Sequence, residues 1–198
     1  MGHKITNNYE PVIYWFNKNI TSCFNHNFMN EVAIPATLIK RNQYISRIVP
    51  FMDKQLIKTF TGQRLVGKSY ILLQLIQLIK NKNPDAPVIY INKEDLLFDA
   101  IRTAGDLSSY VLSRVVANQM NYAFIDEIQE ISEFEKALRS LLLNENIDIY
   151  CTGSNAKLLS GELATLLSGR FVEITIYSLS FAEFLPFHHL KDSDNSLN

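Results

Sequence analysis

Residues Gly62-Gln63-Arg64-Leu65-Val66-Gly67-Lys68-Ser69 form a G-x-x-x-x-G-K-[ST] run, and no other feature narrows the choice of folds so far. Such a run needs a strand before it and a helix after it. Only that turn brings a row of backbone N–H groups and the positive end of a helix to one anion. The flanks comply: Ile57-Lys58-Thr59-Phe60-Thr61 is a short β-rich run, and Ser69 to Ile79 is an apolar periodic segment that predicts a helix. The glycines let the backbone wrap a phosphate. Lys68 is placed to reach β- and γ-phosphates as a point charge, and the Ser69 hydroxyl to ligate Mg²⁺. The expected nucleotide-binding set is Gly62, Gln63, Arg64, Leu65, Val66, Gly67, Lys68, Ser69 and Tyr70.

A phosphate loop needs partners for the metal and for the attacking water. Tyr122-Ala123-Phe124-Ile125-Asp126-Glu127 offers both, as an apolar strand whose tip carries two adjacent carboxylates. Alternation along a strand turns neighbours in different directions. Asp126 is expected to hold Mg²⁺, and Glu127 to polarise a water as general base. Thr152-Gly153-Ser154-Asn155 ends a later strand, where ATPases of the additional-strand type place a polar sensor of the γ-phosphate. Asn155 is the expected sensor; Ser154 is its alternative, or a helix N-cap. Asn92-Lys93-Glu94-Asp95 reads N-K-x-D, the guanine-recognition pattern, and keeps GTP as an alternative nucleotide. Its position argues for ATP, because in GTPases that pattern follows the magnesium-binding acid and here it precedes Asp126.

The rest of the chain alternates strand and helix. A helix is expected over Arg41–Met52, strands at Ile57–Thr61, Val88–Asn92, Tyr122–Asp126, Ile147–Thr152 and Phe171–Ile176, and helices to about Lys80, over Ala104–Met120 and over Ala156–Leu167. Ser132-Glu133-Phe134-Glu135 reads as a capping box opening a further helix, with Phe134, Ala137, Leu138, Leu141 and Leu142 on one apolar face. Short, nearly continuous apolar strands predict a parallel sheet covered on both faces. The division expected is an aromatic-rich N-terminal extension over 1–29, an α/β domain over 30–187 and a polar tail over 188–198.

Composition closes off other classes. At 198 residues, 47% hydrophobic and net charge −1, the chain suits one globular domain and gives no bulk electrostatic case for nucleic acid or a membrane surface. Its longest apolar stretch, Tyr70–Ile79, is too short to span a bilayer. Two distant cysteines, Cys23 and Cys151, and the absence of a leader pattern predict a reduced, cytoplasmic protein. His188-His189 lacks companion ligands for a metal. The myristoylation-like start at Gly2 and the sequon at Asn19 lack supporting context.

With loop, acid tip and sensor segment placed, the chain resembles the archaeal/bacterial AAA-type P-loop ATPase family. The resemblance runs from about Pro35 to Leu185. It is carried by Thr61–Ser69, Asn92–Asp95, Ile125-Asp126-Glu127-Ile128-Gln129, the unbroken run Asn146 to Phe171, and Ser178-Leu179-Ser180-Phe181-Ala182-Glu183-Phe184. It departs at Leu65, where the family has a second loop arginine. Family members also continue into a C-terminal domain that these residues lack, and with it the lid and effector parts.

The resemblance implies a three-layer α/β P-loop NTPase domain with a parallel five-stranded sheet in the order 5-1-4-3-2, binding ATP and Mg²⁺. It further implies that Gly169-Arg170 faces a neighbouring subunit, so that Arg170 acts as a finger on the neighbour's γ-phosphate in a homo-oligomer. The competing reading pairs Arg170 with Glu173 or Glu162 in its own fold. The expected activity is Mg²⁺-dependent ATP hydrolysis, with a nucleotide-gated binding module of little turnover as the alternative.

Overall fold

The computed structural model describes residues 38–154 and 169–187 and the single positions 32, 34, 35 and 167. The chain divides into two units, Met1–Thr37 and Leu38–Asn198, and every element named below belongs to the second. Asn155, most of the helix expected over 156–167, Glu162, His188-His189 and the two N-terminal motifs lie outside the described residues.

Five strands form one parallel sheet: β1 Ile57–Gly62, β2 Val88–Asn92, β3 Asn121–Asp126, β4 Ile147–Ser154 and β5 Phe171–Thr175. Their order is β2-β3-β4-β1-β5, which is the expected 5-1-4-3-2 read from the other edge. β1 lies between β4 and β5 and is buried at every position, including Lys58, Thr59 and Thr61.

Alternation splits the strand side chains between two layers of helix. Ile57, Ile89, Ile91, Ala123, Ile125, Ile149 and Cys151 share one core with Leu107 and Val111 of α3 (Ala104–Leu112) and with Phe134, Ala137, Leu138 and Leu141 of α4 (Phe134–Leu141). The helix that follows the loop, α2 (Lys68–Lys82), packs against β1, β3 and β4 and buries Ile71, Leu72, Leu75 and Ile76. α1 (Asn42–Ile48) precedes the sheet, and α5 (Phe181–Phe187) follows β5. Among the described residues no helix is long and apolar enough to cross a membrane.

Three sequence expectations need correction. The first helix is shorter than Arg41–Met52: it stops at Ile48, and Val49–Phe51 tightens into a 3-10 turn around Pro50, which has no N–H to continue an α-helix. α3 ends at Leu112 and does not reach Met120. Beyond it the Asn121 side chain accepts from Val116 N–H (2.8 Å) and donates to the carbonyls of Val116 and Gln119, and Asn118 turns left-handed, so the segment forms a loop. The capping box at Ser132 is not formed. α4 begins after Glu133, which sits at φ 54° with no side-chain cap, while Ser132 bridges to Thr103. The capping box lies instead at the start of α3, where Asp106 N–H donates to Thr103 Oγ1 and Thr103 N–H to Asp106 Oδ2.

Candidate functional site

The loop leaves β1 at Gly62, where the chain runs so close to the next strand's end that an added Cβ would lie 2.3 Å from the Ile176 carbonyl oxygen. Only glycine fits there. Leu65 (φ 65°) and Gly67 (φ 90°) are both left-handed; for Leu65, which is 83% exposed, that costs about 1 kcal/mol. Gly67 is the N-cap of α2 and offers no side-chain cap to its first N–H groups. Those donors are what an anion needs.

Lys68 is buried and its Nζ donates to the loop's own carbonyls at Gly62 (3.3 Å) and Gln63 (3.0 Å), which holds the ammonium inside the arch. Gln63 and Arg64 are exposed on the rim. Arg64 stands 3.7 Å from Glu94 in an ion pair open to water on both sides, a contact worth little. Tyr70 is half-buried in the first turn of α2, and burial raises its hydroxyl pKa.

Opposite the loop, β3 ends in the acid pair. Asp126 is fully enclosed and receives two hydroxyl hydrogen bonds, from Thr152 to Oδ1 and from Tyr90 to Oδ2 (3.3 Å), with the Ser69 hydroxyl near enough to act on its charge. Burial pushes its pKa up, and the hydroxyls from Thr152 and Ser69 oppose that rise. Burial, and then the charge of Asp126, hold the Tyr90 phenol protonated well above the usual range.

Glu127 does not continue the strand. It turns left-handed (φ 53°), its N–H donates to Thr152 Oγ1 (2.9 Å), and a 3-10 turn Ile128–Glu130 follows. The two carboxylates therefore diverge through a backbone turn, not through the pleat expected from the sequence. The Glu127 carboxylate lies 3.6 Å from Lys68 Nζ and accepts from Gln129 Nε2. The Gln129 Oε1 atom is buried without a partner.

Ser69, Lys68, Asp126 and Glu127 thus converge at the carboxyl ends of β1 and β3. Thr152 of β4, which sequence reading passed over, stitches the acid pair by donating to one acid and accepting from the other's backbone. Register announces it: Ile125 pairs with Cys151, so the next residue of each strand sits side by side. Tyr90 carries a weaker signal, a polar tip in β2 two residues before Asn92, the partner of Asp126.

Arg170 does not join this group. It precedes Phe171, which pairs with Ile57 at the opposite end of β1, and its carbonyl accepts from Ile57 N–H. Its exposed side chain lines a shallow surface with Lys136, Arg139, Ser140 and Leu143, and among the described residues it forms no ion pair. The Glu173 carboxylate accepts from Thr61 Oγ1 (2.7 Å) instead.

The Asn92–Asp95 run serves its own turn. Asn92 Oδ1 accepts from Glu94 N–H, Asp95 accepts from Leu97 N–H, and Lys93 Nζ donates to the Phe98 carbonyl.

Paired hydroxyl and carboxylate oxygens beside a phosphate loop are the donor set that Mg²⁺ takes, with phosphate oxygens completing its shell. Ser69 and Asp126, whose hydroxyl and carboxylate act on each other at this site, fit that requirement.

Comparison with known proteins agrees with this fold. The family model described as AAA domain matches residues 54–185. The chain is 39% identical over 160 residues to an uncharacterized protein of Haemophilus influenzae, covering 80% of this chain and 39% of that one. It is 38% identical over 159 residues to an uncharacterized protein of Methanocaldococcus jannaschii, covering 79% and 33%. The chain therefore spans about two fifths or less of the length of these relatives. Its fold is similar to a DNA polymerase III gamma subunit-related protein of Thermotoga maritima, with a TM-score of 0.52 at 14% identity over 78% of this chain and 51% of that one.

Proposed function

This chain belongs to the AAA domain family, and on that premise we propose that it binds ATP with Mg²⁺ and hydrolyses it. The observation that carries the reading is the convergence of Lys68, Ser69, Asp126 and Glu127, with Thr152 bridging the two acids.

Each residue has a role that follows from its place. Lys68 exchanges the loop carbonyls for phosphate oxygens, a charge-assisted contact stronger than the neutral ones it leaves. Ser69 and Asp126 would hold Mg²⁺, which when bound offsets charge on the phosphates. As Lys68 moves to phosphate, its pairing with Glu127 weakens, and the carboxylate becomes free to accept a proton from the attacking water. Thr152 keeps the left-handed turn in register with Asp126, so that the base and the metal ligand stay apart. Arg170, without an ion pair among the described residues and at the far end of the sheet from the loop, acts in this reading on a neighbouring copy's γ-phosphate. Asn155 remains the proposed sensor. The setting is the cytoplasm, in keeping with a buried, free Cys151 thiol. The target of the whole protein is to be sought in the length its relatives carry beyond this segment or in partners.

One observation favours the alternative, a nucleotide-gated module with little turnover: Lys68 and Gln129 both engage Glu127. Phosphate release at saturating ATP separates the two readings. Calorimetry tests the nucleotide itself. ATP binding is expected in the native protein and lost in Lys68→Ala, and an unchanged affinity in that variant would sink the assignment. GTP should compete poorly, since Asn92 and Asp95 already cap their own turn; equal competition would restore the guanine reading.

A further inference from the structure

Arg41 carries more hydrogen bonds than any residue of the site, yet it lies outside it. Its side chain is 4% exposed. Nη1 donates to the Val66 carbonyl of the loop (2.8 Å), Nε and Nη2 to the two oxygens of Glu183 in α5 (2.8 and 3.2 Å), and Nη2 to the Tyr177 carbonyl (2.9 Å). The guanidinium also stacks 4.6 Å over the Tyr44 ring. Glu183 is fixed in turn by the N–H and hydroxyl of Ser180 and by Gln43. A planar five-donor fork is needed to meet carbonyls and a carboxylate from three chain segments at once, and a lysine ammonium cannot reproduce it.

The carbonyl that Arg41 grips belongs to the Val66–Gly67 peptide. None of the described peptides is cis, and in a trans peptide the C=O and N–H point in opposite directions. With the Val66 oxygen held by Arg41, the Gly67 N–H points away from Arg41. Among the described residues it has no acceptor. Gly67 stands at φ 90°, and a Cβ there would meet only Arg41 Nη1, at an ordinary 3.8 Å, so the glycine serves the backbone angle and not the space.

We propose that Arg41 is a positioning residue for triphosphate binding: it locks the Val66–Gly67 peptide so that the Gly67 N–H faces the phosphates, and Glu183 locks Arg41. This rests on the nucleotide reading above. It also places the segment beyond β5 in direct contact with the back of the phosphate loop, through one side chain.

The test uses the full chain carrying ¹⁵N-glycine, with ATP as the probe, followed by calorimetry and by the Gly67 amide resonance. In the native protein ATP should move the Gly67 amide proton downfield, the mark of a hydrogen bond to phosphate. Arg41→Lys keeps the charge beside Glu183 but loses the grip on Val66. It should raise the ATP dissociation constant about tenfold, the loss of one hydrogen bond to a charged group, and abolish the Gly67 shift. Glu183→Gln, a milder change, should weaken ATP about threefold with a smaller Gly67 shift, and it decides the matter if Arg41→Lys does not fold. Native binding with an unmoved Gly67 amide would overturn the role of Arg41 while leaving the nucleotide reading intact. So would a folded variant that binds ATP and shifts Gly67 like the native chain. A native protein that binds no nucleotide would remove both.

Discussion

The two ends of the sheet each bury a lysine beside a carboxylate, and they do so in opposite ways. At the amino end, Lys58 of β1 pairs with Asp148 of β4; its Nζ also donates to the Lys54 carbonyl, and Asp148 accepts from the Tyr150 hydroxyl and from Asp53 N–H. Both side chains are essentially inaccessible. Burial lowers the Lys58 pKa and raises that of Asp148, each partly opposed by the partner's charge. Both oxygens of Asp148 are engaged by donors of the fold itself. At the carboxyl end, Lys68 and Glu127 stand 3.6 Å apart, the lysine holding two loop carbonyls and the glutamate resting on Gln129, whose other atom has no partner. A saturated pair fixes a structure. An under-bonded pair that has alternative partners is what chemistry can use.

Breaking this contrast gives tests of decreasing size. The largest concerns Arg170, which is exposed at the amino end beside Arg139 and forms no ion pair among the described residues. A finger given in trans changes rates by about 10³–10⁵. In a full-length protein shown to oligomerise, mixing Arg170→Ala with Lys68→Ala subunits should restore ATPase activity that neither variant has alone. A mixture no faster than its parts would make Arg170 structural.

Next come the two lysines. Lys58→Met strands a buried Asp148 and should lower unfolding stability by about 3–5 kcal/mol, whereas replacing both partners with apolar residues should cost far less. Lys68→Ala should change stability by no more than about 1 kcal/mol while removing ATP binding, because Glu127 keeps Gln129. Urea midpoints measured side by side would dissolve the contrast if the two single variants were equally unstable.

Glu127→Gln should keep ATP affinity and lose about 10²–10⁴ in turnover, since it removes only proton acceptance. Single-turnover hydrolysis within a few-fold of native would show the strand tip to be structural.

The smallest expected effect is a change of slope. The hydrogen bonds from Arg41 hold the Glu183 carboxyl down at about 2, against an ordinary 4.5. A lowered folded-state value means that this contribution is present above about pH 4.5 and fades as pH falls toward 2. Glu183→Gln should therefore flatten the acid limb of stability against pH in that window. An unaltered limb would assign the acid sensitivity to other carboxylates.

Much of this was legible in the residue order because it is local. The phosphate loop spans eight consecutive residues whose spacing is itself the chemistry, from Gly62 to Ser69. Asp126-Glu127 lies at the end of an apolar run that can only be a covered strand. The apolar face of α4 repeats at helical spacing, and all five of its members are buried. Element ends read less well. Asn121 reaches back to Val116 and stops the helix expected to run on, and Glu133 adopts a left-handed angle where a capping box looked satisfied. At Asn121 a competing contact five residues back won, and at Glu133 the neighbouring Ser132 is taken by its bridge to Thr103.

What order along the chain determined, then, is the inventory: a loop for phosphate, two acids for metal and water, and five strands of the kind that pair in parallel. What only the tertiary structure decided is which side chains hold these in place. Thr152 meets Asp126 across 26 positions, Tyr90 meets it across 36, and Arg41 meets Glu183 across 142. No periodicity encodes such separations. They arise when parallel strands align their carboxyl ends and a segment from beyond β5 packs beside the first helix, bringing polar groups into a volume where most of them must find partners in the fold.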